Sequence, residues 1–392
     1  MPESKPEPNA AFSRAEYEER IAEARRRMRQ QGLDALLVFA QESLFYLTGF
    51  DTSGYVFFQC AVLTADQQPM TLLTRRPDRD QAHATSIIED VRLWLNAEDA
   101  DPAGDVRRIL SDKGLRDATV GIELNTYGLT AYNHLLMQQA LAGFCTLVDG
   151  SDIVAGMRLI KSPTEIAVIR EAALLADKAL LAMVDVARAG VPDSLLASAC
   201  LHELLAGGGD VPPGGPLVNS GSRSSFGRGV GGPRVLSDRD QVLVEFAATY
   251  QRYNVCVEQT IAIGEPPAKL RHKYDSALGA LTEMTATARP GTPLGAIDDA
   301  HRRVFDAAGY RANRFEACGY SLGATFRPTW MDVPPMLYSG NPLPAAPGMV
   351  LFLHAIVGDQ EAGIAAGVGH TLLITDDGND VLNQAPMALH RK

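Results

Sequence analysis

The sequence predicts two domains, an α/β domain followed by an α+β domain that contains a duplicated unit. The chain has 392 residues, and chains beyond about 250–300 residues usually divide into more than one hydrophobic core. Strand-like and helix-like segments alternate over roughly the first 150 residues, which is typical of an α/β domain. The segment ARAGVP (187–192) returns 101 residues later as ARPGTP (288–293), with helical segments on both sides of each copy. We therefore place the domains at residues 1–157 and 158–392.

The first domain is predicted to open with a helix and to continue with strands. Ser13 and Glu16 form a capping box, in which each side chain bonds a free backbone N–H at the start of the helix, and Gly32 ends the apolar pattern. A turn is expected between the strand DALLVFA and the segment YLTGF (46–50). Further strands are predicted at YVFFQCAVLTA, MTLLT, ATVGIE and CTLVDG.

The second domain is predicted to begin with a longer helix. Its signal is a capping box from Ser162 to Glu165, with Pro163 at the first helical position, where a missing N–H costs nothing. The helix is expected to end near Gly190, a residue type that commonly stops helices. Each copy of the repeat is followed by a further helix (LLASACLHELLAGG, AIDDAHRRVFDAAG) and then by strands (VLVEFAATYQRYNVCVEQTIAIG, PGMVLFLHAIV, GVGHTLLIT). We expect the two copies to share a sheet and to form a site at their junction.

Composition argues against several classes of partner. The formal net charge of −11 disfavours a nucleic-acid backbone as the main partner, because phosphate binding depends on Lys and Arg. The five cysteines are scattered without a CxxC pair, which indicates reduced thiols rather than a disulfide framework or zinc knuckle. No run approaches the ~20 apolar residues of a membrane helix, and the opening MPESKPEPNAAF has no apolar signal core. We expect a cytoplasmic protein that binds neither nucleic acid nor membranes.

Four strand-like segments each carry an ionisable residue among apolar neighbours: Glu245, Glu258, His354 and His370. Taken singly, a strand His is usually a core or edge residue, and a strand Glu usually faces solvent. Together, in the strands of one duplicated unit, they indicate a site. A buried carboxylate is costly unless it is paired or hydrogen-bonded, so a cationic ligand would be a suitable partner. The segment 315–341, rich in small residues, aromatics and prolines, follows the second repeat.

These motifs resemble those of the pita-bread family, which includes methionine aminopeptidases, prolidases and creatinase. The matching segments of the second half are MRLIKSPTEIAVIREAALLAD, LVNSGSRSS, VLVEFAATYQRYNVCVEQT, PGMVLFLHAIV and GVGHTLLIT, while YLTGF resembles the N-terminal domain of the creatinase and prolidase branch. The resemblance implies a creatinase-like α/β N-terminal domain and an α+β pita-bread catalytic domain with an internal pseudo-two-fold duplication. It also implies a homodimer, in which the N-terminal domain around Tyr55 borders the pocket of the partner.

The resemblance bears on metal binding as well. The metallopeptidases of the family use two Asp, one His and two Glu, and the matching positions here hold Glu245, Cys256, Tyr320, His354 and Gly369. A dinuclear site needs a cluster of carboxylates to offset two cations. The resemblance therefore implies the metal-free branch, with no metal and no cofactor. One zinc ion held by a Glu, a Cys and a His is the alternative, and the spacing, which comes from a different kind of site, argues against it.

The metal-free branch is typified by creatinase, which holds a guanidinium-like substrate with glutamates. Glu258 aligns with a substrate-contacting glutamate of creatinase, whereas the position of its catalytic His falls at Arg228, so we do not expect a creatinase. The segment CGYSLGATFRPTWMDVPPMLY resembles the substrate loop of the ectoine hydrolases of this branch. That resemblance implies ring opening of ectoine, a small cyclic amidine with a carboxylate, to N-acetyl-2,4-diaminobutyrate.

Amidine chemistry suggests a role for each residue. A carboxylate grips a planar amidinium through paired N–H donors, a role for Glu245, while Glu258 acts as nucleophile or as base for water. His354 gives a proton to the leaving nitrogen. The other expected site residues are Tyr320, Phe326 and Trp330 as stacking partners, Arg228 or Arg327 for the substrate carboxylate, Asp332 and His370 as secondary candidates, and Cys256 as lining or apolar filler.

Three alternatives stay open from the sequence. One is an amidinohydrolase that acts on another small amidine or guanidine. A second is a metal-dependent Xaa-Pro peptidase, which needs ligands that this chain lacks. The third is a non-catalytic pita-bread protein that binds peptides or other proteins, which has no need of acids and histidines inside its strands.

Overall fold

The computed structural model describes residues 11–392 and divides them into two compact units, one ending at Arg158 and the other beginning at Leu159. Within the described residues the first unit holds one mixed six-stranded sheet with the strand order β4-β3-β2-β1-β5-β6. Its elements are α1 (Arg14–Gln30), β1 (Ala35–Val38), α2 (Gln41–Thr48), β2 (Cys60–Thr64), β3 (Thr71–Arg75), α3 (Arg76–Thr85), β4 (Asp90–Trp94), α4 (Pro102–Asp112), β5 (Thr119–Ile122), α5 (Ala131–Leu141), β6 (Thr146–Asp149) and α6 (Asp152–Arg158).

The predicted start of the first unit is confirmed, with one half of the capping box in place. The Ser13 hydroxyl accepts a hydrogen bond from the Glu16 backbone N–H at 3.2 Å. The Glu16 carboxylate accepts one from the Arg20 guanidinium at 2.6 Å. The first helix therefore begins where the sequence predicts, because a cap side chain satisfies a free N–H of its first turn.

The segment after β1 differs from the prediction. Helix α2 replaces the expected turn before YLTGF, and it ends at Gly49 with φ +83°. A residue far away in the sequence stabilises the start of α2, because the Glu123 carboxylate accepts the N–H groups of Phe39 and Ala40 at 2.9 and 2.7 Å. The strand predicted over YVFFQCAVLTA is also shorter than expected, since residues 54–56 form a 3₁₀ turn and β2 begins at Cys60.

The second unit repeats one arrangement, a helix pair followed by strands. Its sheet has nine strands within the described residues, in the order β11-β10-β12-β13-β9-β8-β7, with β14 beside β13 and β15 beside β9. The first set is α7 (Pro163–Val186), α8 (Ser194–Ala206), β7 (Leu217–Ser220), β8 (Asp240–Tyr250) and β9 (Tyr253–Ile263). The second set is α9 (Ala268–Thr287), α10 (Leu294–Ala307), β10 (Ala317–Ser321), β11 (Met336–Tyr338), β12 (Val350–Asp359) and β13 (Ile364–Ile374), followed by β14 (Asn379–Val381) and β15 (His390–Arg391).

The capping box at the start of α7 is complete. The Glu165 N–H donates to the Ser162 hydroxyl at 3.2 Å, and the Ser162 N–H donates to the Glu165 carboxylate at 2.8 Å. Helix α7 packs against β8 and β9, and helix α9 packs against β12 and β13. Both copies therefore place their first helix against their own strands of the shared sheet.

The residues of β12 divide between the two faces of this sheet. Leu351, Leu353 and Ala355 lie in the core that contains residues of α9 and α10. Successive side chains of a strand point to opposite faces, so Phe352 and His354 project from the face away from that core. None of the helices formed by residues 11–392 is both long and apolar enough to cross a membrane.

Candidate active site

The register of the strands aligns the two glutamates. Glu245 on β8 lies directly opposite Glu258 on β9. Glu258 lies opposite Gly369 on β13, and Gly369 lies opposite His354 on β12. Directly paired residues project from the same face of a sheet. Glu245, Glu258, Gly369 and His354 therefore form one line across four neighbouring strands, which we call the site row.

The two carboxyl groups of the site row are in an unusual electrostatic position. The side chain of Glu258 is 1% exposed, and its Oε2 atom has no hydrogen-bond partner among residues 11–392. Burial raises the pKa of Glu258 well above its usual value, and the nearby Glu245 charge raises it further. Burial also raises the pKa of Glu245, against the hydrogen bond from Tyr320 and the charge of Arg228. Two such neighbours cannot both ionise cheaply, so the pair retains a proton unless a cation joins it.

Tyr320 on β10 connects the pair to the segment that follows this strand. Its hydroxyl donates to Glu245 Oε1 at 3.1 Å and accepts from the Trp330 indole Nε1–H at 2.8 Å. The Cys256 thiol is also within hydrogen-bonding reach of this hydroxyl, and burial raises the pKa of that thiol well above its usual value. Tyr320 and Trp330 are thus brought to the pair through their polar atoms rather than as free stacking surfaces.

His354 lies at the far end of the site row, in an aromatic environment. Its ring stacks on Phe352 with centroids 5.5 Å apart and lies 5.9 Å from the Tyr320 ring. Its Nδ1 atom is buried and finds no partner in the described part of the chain. Burial lowers the pKa of His354 to about 3, so the ring is neutral and a weak base at neutral pH.

Two glycines of β13 make room for the Glu258 carboxylate and for the Phe352 ring. A Cβ atom at Gly367 would overlap the Glu258 carboxylate, and one at Gly369 would lie 2.7 Å from Phe352 Cζ. From the sequence, Gly369 is named only as the position of a missing metal ligand, and neither Gly367 nor Phe352 is predicted to line the site. The signal was available as G-V-G inside an apolar strand, because glycine in a strand often marks a close approach of other groups.

The structure describes two more of the expected residues, one in each unit. His370 projects from the opposite face of the sheet, where its Nε2 bonds the Thr285 hydroxyl of α9 at 2.9 Å and burial lowers its pKa to about 4. The register explains this, because Gly369 occupies the site row and the next residue must point away. Tyr55 belongs to the first unit, where it is buried in the 54–56 turn.

The remaining expected residues surround the pair less directly. Arg228 is exposed between β7 and β8, and its charge still acts on Glu245. Phe326 is buried and lies under the Arg252 guanidinium at 5.1 Å. Asp332 is buried with its carboxylate over Gly323, and Arg327 is exposed.

The residues present do not fit the dinuclear metal centre of the family's peptidases. Gly369 offers no donor atom, and the Tyr320 hydroxyl already bonds Trp330 and Glu245. In the part of the chain that the structure describes, no group of three or more His, Cys, Asp or Glu side chains is arranged to hold a metal ion. The site row is better suited to an organic cation.

Comparison with known proteins places this fold and site in context. Residues 167–376 match the model of metallopeptidase family M24, and residues 20–160 match the creatinase/prolidase N-terminal domain. The chain is 25% identical to the ectoine hydrolase of Halomonas elongata over 399 residues, covering 97% of this chain and 98% of that protein. It is 26% identical to an Xaa-Pro dipeptidase of Pyrococcus horikoshii over 238 residues, covering 61% of this chain and 66% of that protein.

Solved structures share the two-domain architecture. The prolidase of Thermococcus sibiricus superposes with a TM-score of 0.87 at 20% identity, covering 96% of this chain and 99% of that one. The Xaa-Pro dipeptidase of Bacillus anthracis gives a TM-score of 0.82 at 22% identity, covering 96% of this chain and 100% of that one. These matches confirm the predicted fold class, a creatinase-like N-terminal domain followed by a pita-bread domain. The chain belongs to metallopeptidase family M24 and is a hydrolase of the creatinase and prolidase type.

Proposed function

We propose that this hydrolase opens the cyclic amidine ring of ectoine to N-acetyl-2,4-diaminobutyrate without a metal. The observation that carries the proposal is the glutamate pair, in which Glu245 and Glu258 face each other across β8 and β9 with a buried Glu258 Oε2 that has no partner in residues 11–392. An amidinium supplies what this pair lacks, a delocalised positive charge with N–H donors in one plane. Similarity to the ectoine hydrolase of Halomonas elongata along nearly the whole chain supports the same substrate class.

Charge balance supports a cationic ligand. The empty pair holds one proton and one negative charge, so an incoming cation neutralises it. The positive charge also favours ionisation of the second carboxyl, which releases the shared proton. The neutral ring of His354 lies two strands away, at roughly 10 Å between strand axes, and with a pKa of about 3 it does not hold this proton.

The reaction then needs Glu258 in its ionised form. It either attacks the amidine carbon itself or removes a proton from an attacking water, while Glu245 grips the amidinium N–H groups. In either route a C–O bond forms, the ring C–N bond breaks, and the leaving nitrogen receives a proton, either the one released by the pair or the one that Glu258 removes from water. His354 is the proposed group that passes this proton to the leaving nitrogen. If Glu258 is the nucleophile, ring opening leaves an imidoyl ester on its carboxylate, and water hydrolyses this ester in a second step to release Glu258 and the N-acetyl product.

Specificity for ectoine also requires an anchor for its carboxylate. Arg228 is the better placed candidate, because its charge already acts on the Glu245 end of the site row, and Arg327 is the second. The proposal includes a cytoplasmic homodimer, in which Tyr55 borders the pocket of the partner. Resemblance to the creatinase branch supports the homodimer and the position of Tyr55 within it.

The test is ring opening by chelated protein. Purified protein is treated exhaustively with chelator, incubated with ectoine and followed by proton NMR. We expect turnover without added metal, and no turnover by Glu258→Gln. Turnover that appears only after Mn²⁺ or Zn²⁺ is added would contradict the proposal.

A metal-dependent Xaa-Pro dipeptidase is the second candidate, because the chain is similar to one from Pyrococcus horikoshii. Xaa-Pro dipeptides are therefore run in parallel, with and without Mn²⁺. Hydrolysis of these dipeptides without turnover of ectoine would favour that candidate. If neither ectoine nor the dipeptides are turned over, other small amidines and guanidines become the candidate substrates.

A further inference from the structure

A hydrogen-bond chain links the segment after β10 to one member of the glutamate pair. The Trp330 Nε1–H donates to the Tyr320 hydroxyl at 2.8 Å, and that hydroxyl donates to Glu245 Oε1 at 3.1 Å. Trp330 and Tyr320 are 8% and 4% exposed, so water competes little for these bonds. The sequence predicts both aromatic rings as stacking partners of a substrate, whereas these hydrogen bonds give their polar atoms a different role.

The direction of each bond follows from chemistry. An indole nitrogen can only donate, so the Tyr320 oxygen accepts from Trp330. The one hydroxyl proton of Tyr320 is then free to go to its strongest acceptor, the Glu245 carboxylate. A hydrogen bond given to a carboxylate favours its ionised form. Glu258 has no comparable donor at its buried Oε2 within the described residues, so the two carboxyl groups are not equivalent.

The indole is held by a glycine. A Cβ atom built at Gly214 would lie 2.7 and 2.8 Å from the Cε3 and Cζ3 atoms of Trp330, whereas one built at Gly215 would meet nothing within 4 Å. The backbone of Gly214 thus packs directly on the ring. The segment before β7 therefore sets the position of Trp330, although it contains no residue of the site row.

We propose that Trp330 is a positioning residue. Seated on Gly214, its indole N–H orients the Tyr320 hydroxyl so that Glu245 is the ionised grip for the cation, while Glu258 keeps the shared proton until the cation arrives. The groups that face Glu245 are Glu258, Tyr320, Cys256 and Arg228, and the orientation of Tyr320 decides between the two acids. The inference rests on the proposed function only for its kinetic test.

The first test uses no substrate. The chain has two tryptophans, and Trp94→Phe leaves Trp330 as the sole reporter. Because Trp330 is two hydrogen bonds from Glu245, its emission is expected to change with pH as the glutamate pair titrates. Glu245→Gln should abolish that change, and Glu283→Gln, an exposed position on α9, should preserve it. The proposal would be overturned if the Trp330 emission did not change with pH, or if the pH response were still present in Glu245→Gln.

The second test compares neighbouring glycines. Gly214→Ala should displace the indole and lower kcat by about 10- to 100-fold, the range expected when a catalytic group is misplaced, while Gly215→Ala should leave it within twofold. Trp330→Phe removes the N–H without the overlap and serves if Gly214→Ala folds poorly. In both Gly214→Ala and Trp330→Phe, the pH profile of kcat/KM should shift in the same direction.

A purely structural role for Trp330 gives a different result. It would lower activity or the melting temperature but leave the pH profile unchanged, and that outcome would overturn the proposal. If ectoine is not the substrate, the fluorescence titration still decides whether Trp330 and Glu245 are coupled. Failure of the inference is therefore distinguishable from failure of the proposed function.

Discussion

Glu123 in the first unit and Glu258 in the second are both buried carboxyl groups, and their surroundings differ. Glu123 is 2% exposed, and its Oε2 accepts the N–H groups of Phe39 and Ala40 at 2.9 and 2.7 Å. Burial raises its pKa to about 7, against these bonds and one from Ser43. Glu123 is thus a structural acid whose hydrogen bonds hold the start of α2.

Glu258 is equally buried but lacks such support. Across the strand pair it faces a second carboxyl group, and its Oε2 remains without a partner in the part of the chain that the structure describes. A buried polar atom with no partner costs about 1–3 kcal/mol, which a protein tolerates where a ligand will supply the missing contact. The comparison teaches that burial alone does not mark a functional acid, whereas burial with an unmet bond does.

The largest expected difference between the two acids is in turnover. Glu258→Gln should lower kcat by at least about 10³-fold, since loss of a group that acts at the reacting carbon has effects of this size or more. Glu123→Gln should leave the kcat of the folded protein within about twofold. Steady-state kinetics on proteins matched by circular dichroism measure both. Near-normal kcat in Glu258→Gln would remove its proposed role.

The two histidines extend the comparison to the two faces of one sheet. His354→Ala should lower kcat by about 10²-fold or more, the usual range for a lost proton-transfer group. His370→Ala loses a bond to Thr285 on the helix side and should affect chiefly stability. Turnover and urea unfolding of both variants make the check. Equal losses of kcat would contradict the assignment of faces.

Substitution of Glu123 should lower the free energy of unfolding more than substitution of Glu258, which is the reverse of their effects on turnover. Glu123→Ala leaves two buried N–H groups without their acceptor and should lower the free energy of unfolding by about 2 kcal/mol or more. Glu258→Gln removes an acid without deleting any bond to its Oε2 and should keep or raise that free energy. Urea unfolding at neutral pH gives both values. A Glu258→Gln protein much less stable than the wild type would indicate a structural role for this acid.

The smallest expected effect is on the pH dependence of stability. Burial raises the pKa of Glu258 above its unfolded value, so between these two pKa values the folded state binds more protons than the unfolded state. Stability therefore falls as pH rises through this window. The advantage of Glu258→Gln over the wild type should grow from about pH 4.5 upward, by at most about 1.4 kcal/mol per pH unit. Urea midpoints measured across this range check the slope, and a constant difference would contradict the raised pKa.

Much of the fold was predictable because its signals are local. The capping box at Ser162, the repeat around Gly190 and the strands with Glu245 and Glu258 all follow from neighbouring residues. Helix α2 was missed, because part of what begins it is Glu123, a distant acid that accepts two N–H groups there. No short window of sequence contains that information.

The residues of the candidate site are proposed from the sequence, but the register that aligns them could not be predicted. Glu245 faces Glu258 because a tight turn joins the strands, and both Gln251 and Arg252 adopt positive φ there, at 45° and 69°. Such turns usually carry Asn-Gly or Asp-Gly, so Gln251-Arg252 does not indicate a tight turn. The contacts of Trp330 with Tyr320 and Gly214 depend on long-range packing, which strand patterns do not encode.

Phe352 has a consequence for the mutational paths open to this protein. At Gly369, where the resemblance places a metal-binding glutamate of the family's peptidases, a Cβ would lie 2.7 Å from the Phe352 ring. A glutamate at this position would meet the Phe352 ring before it could reach a metal. Phe352 would have to shrink first, and that step by itself would open a void and bring no catalytic gain. A glutamate at position 369 therefore requires a second substitution at Phe352 before its carboxylate can occupy this part of the site row.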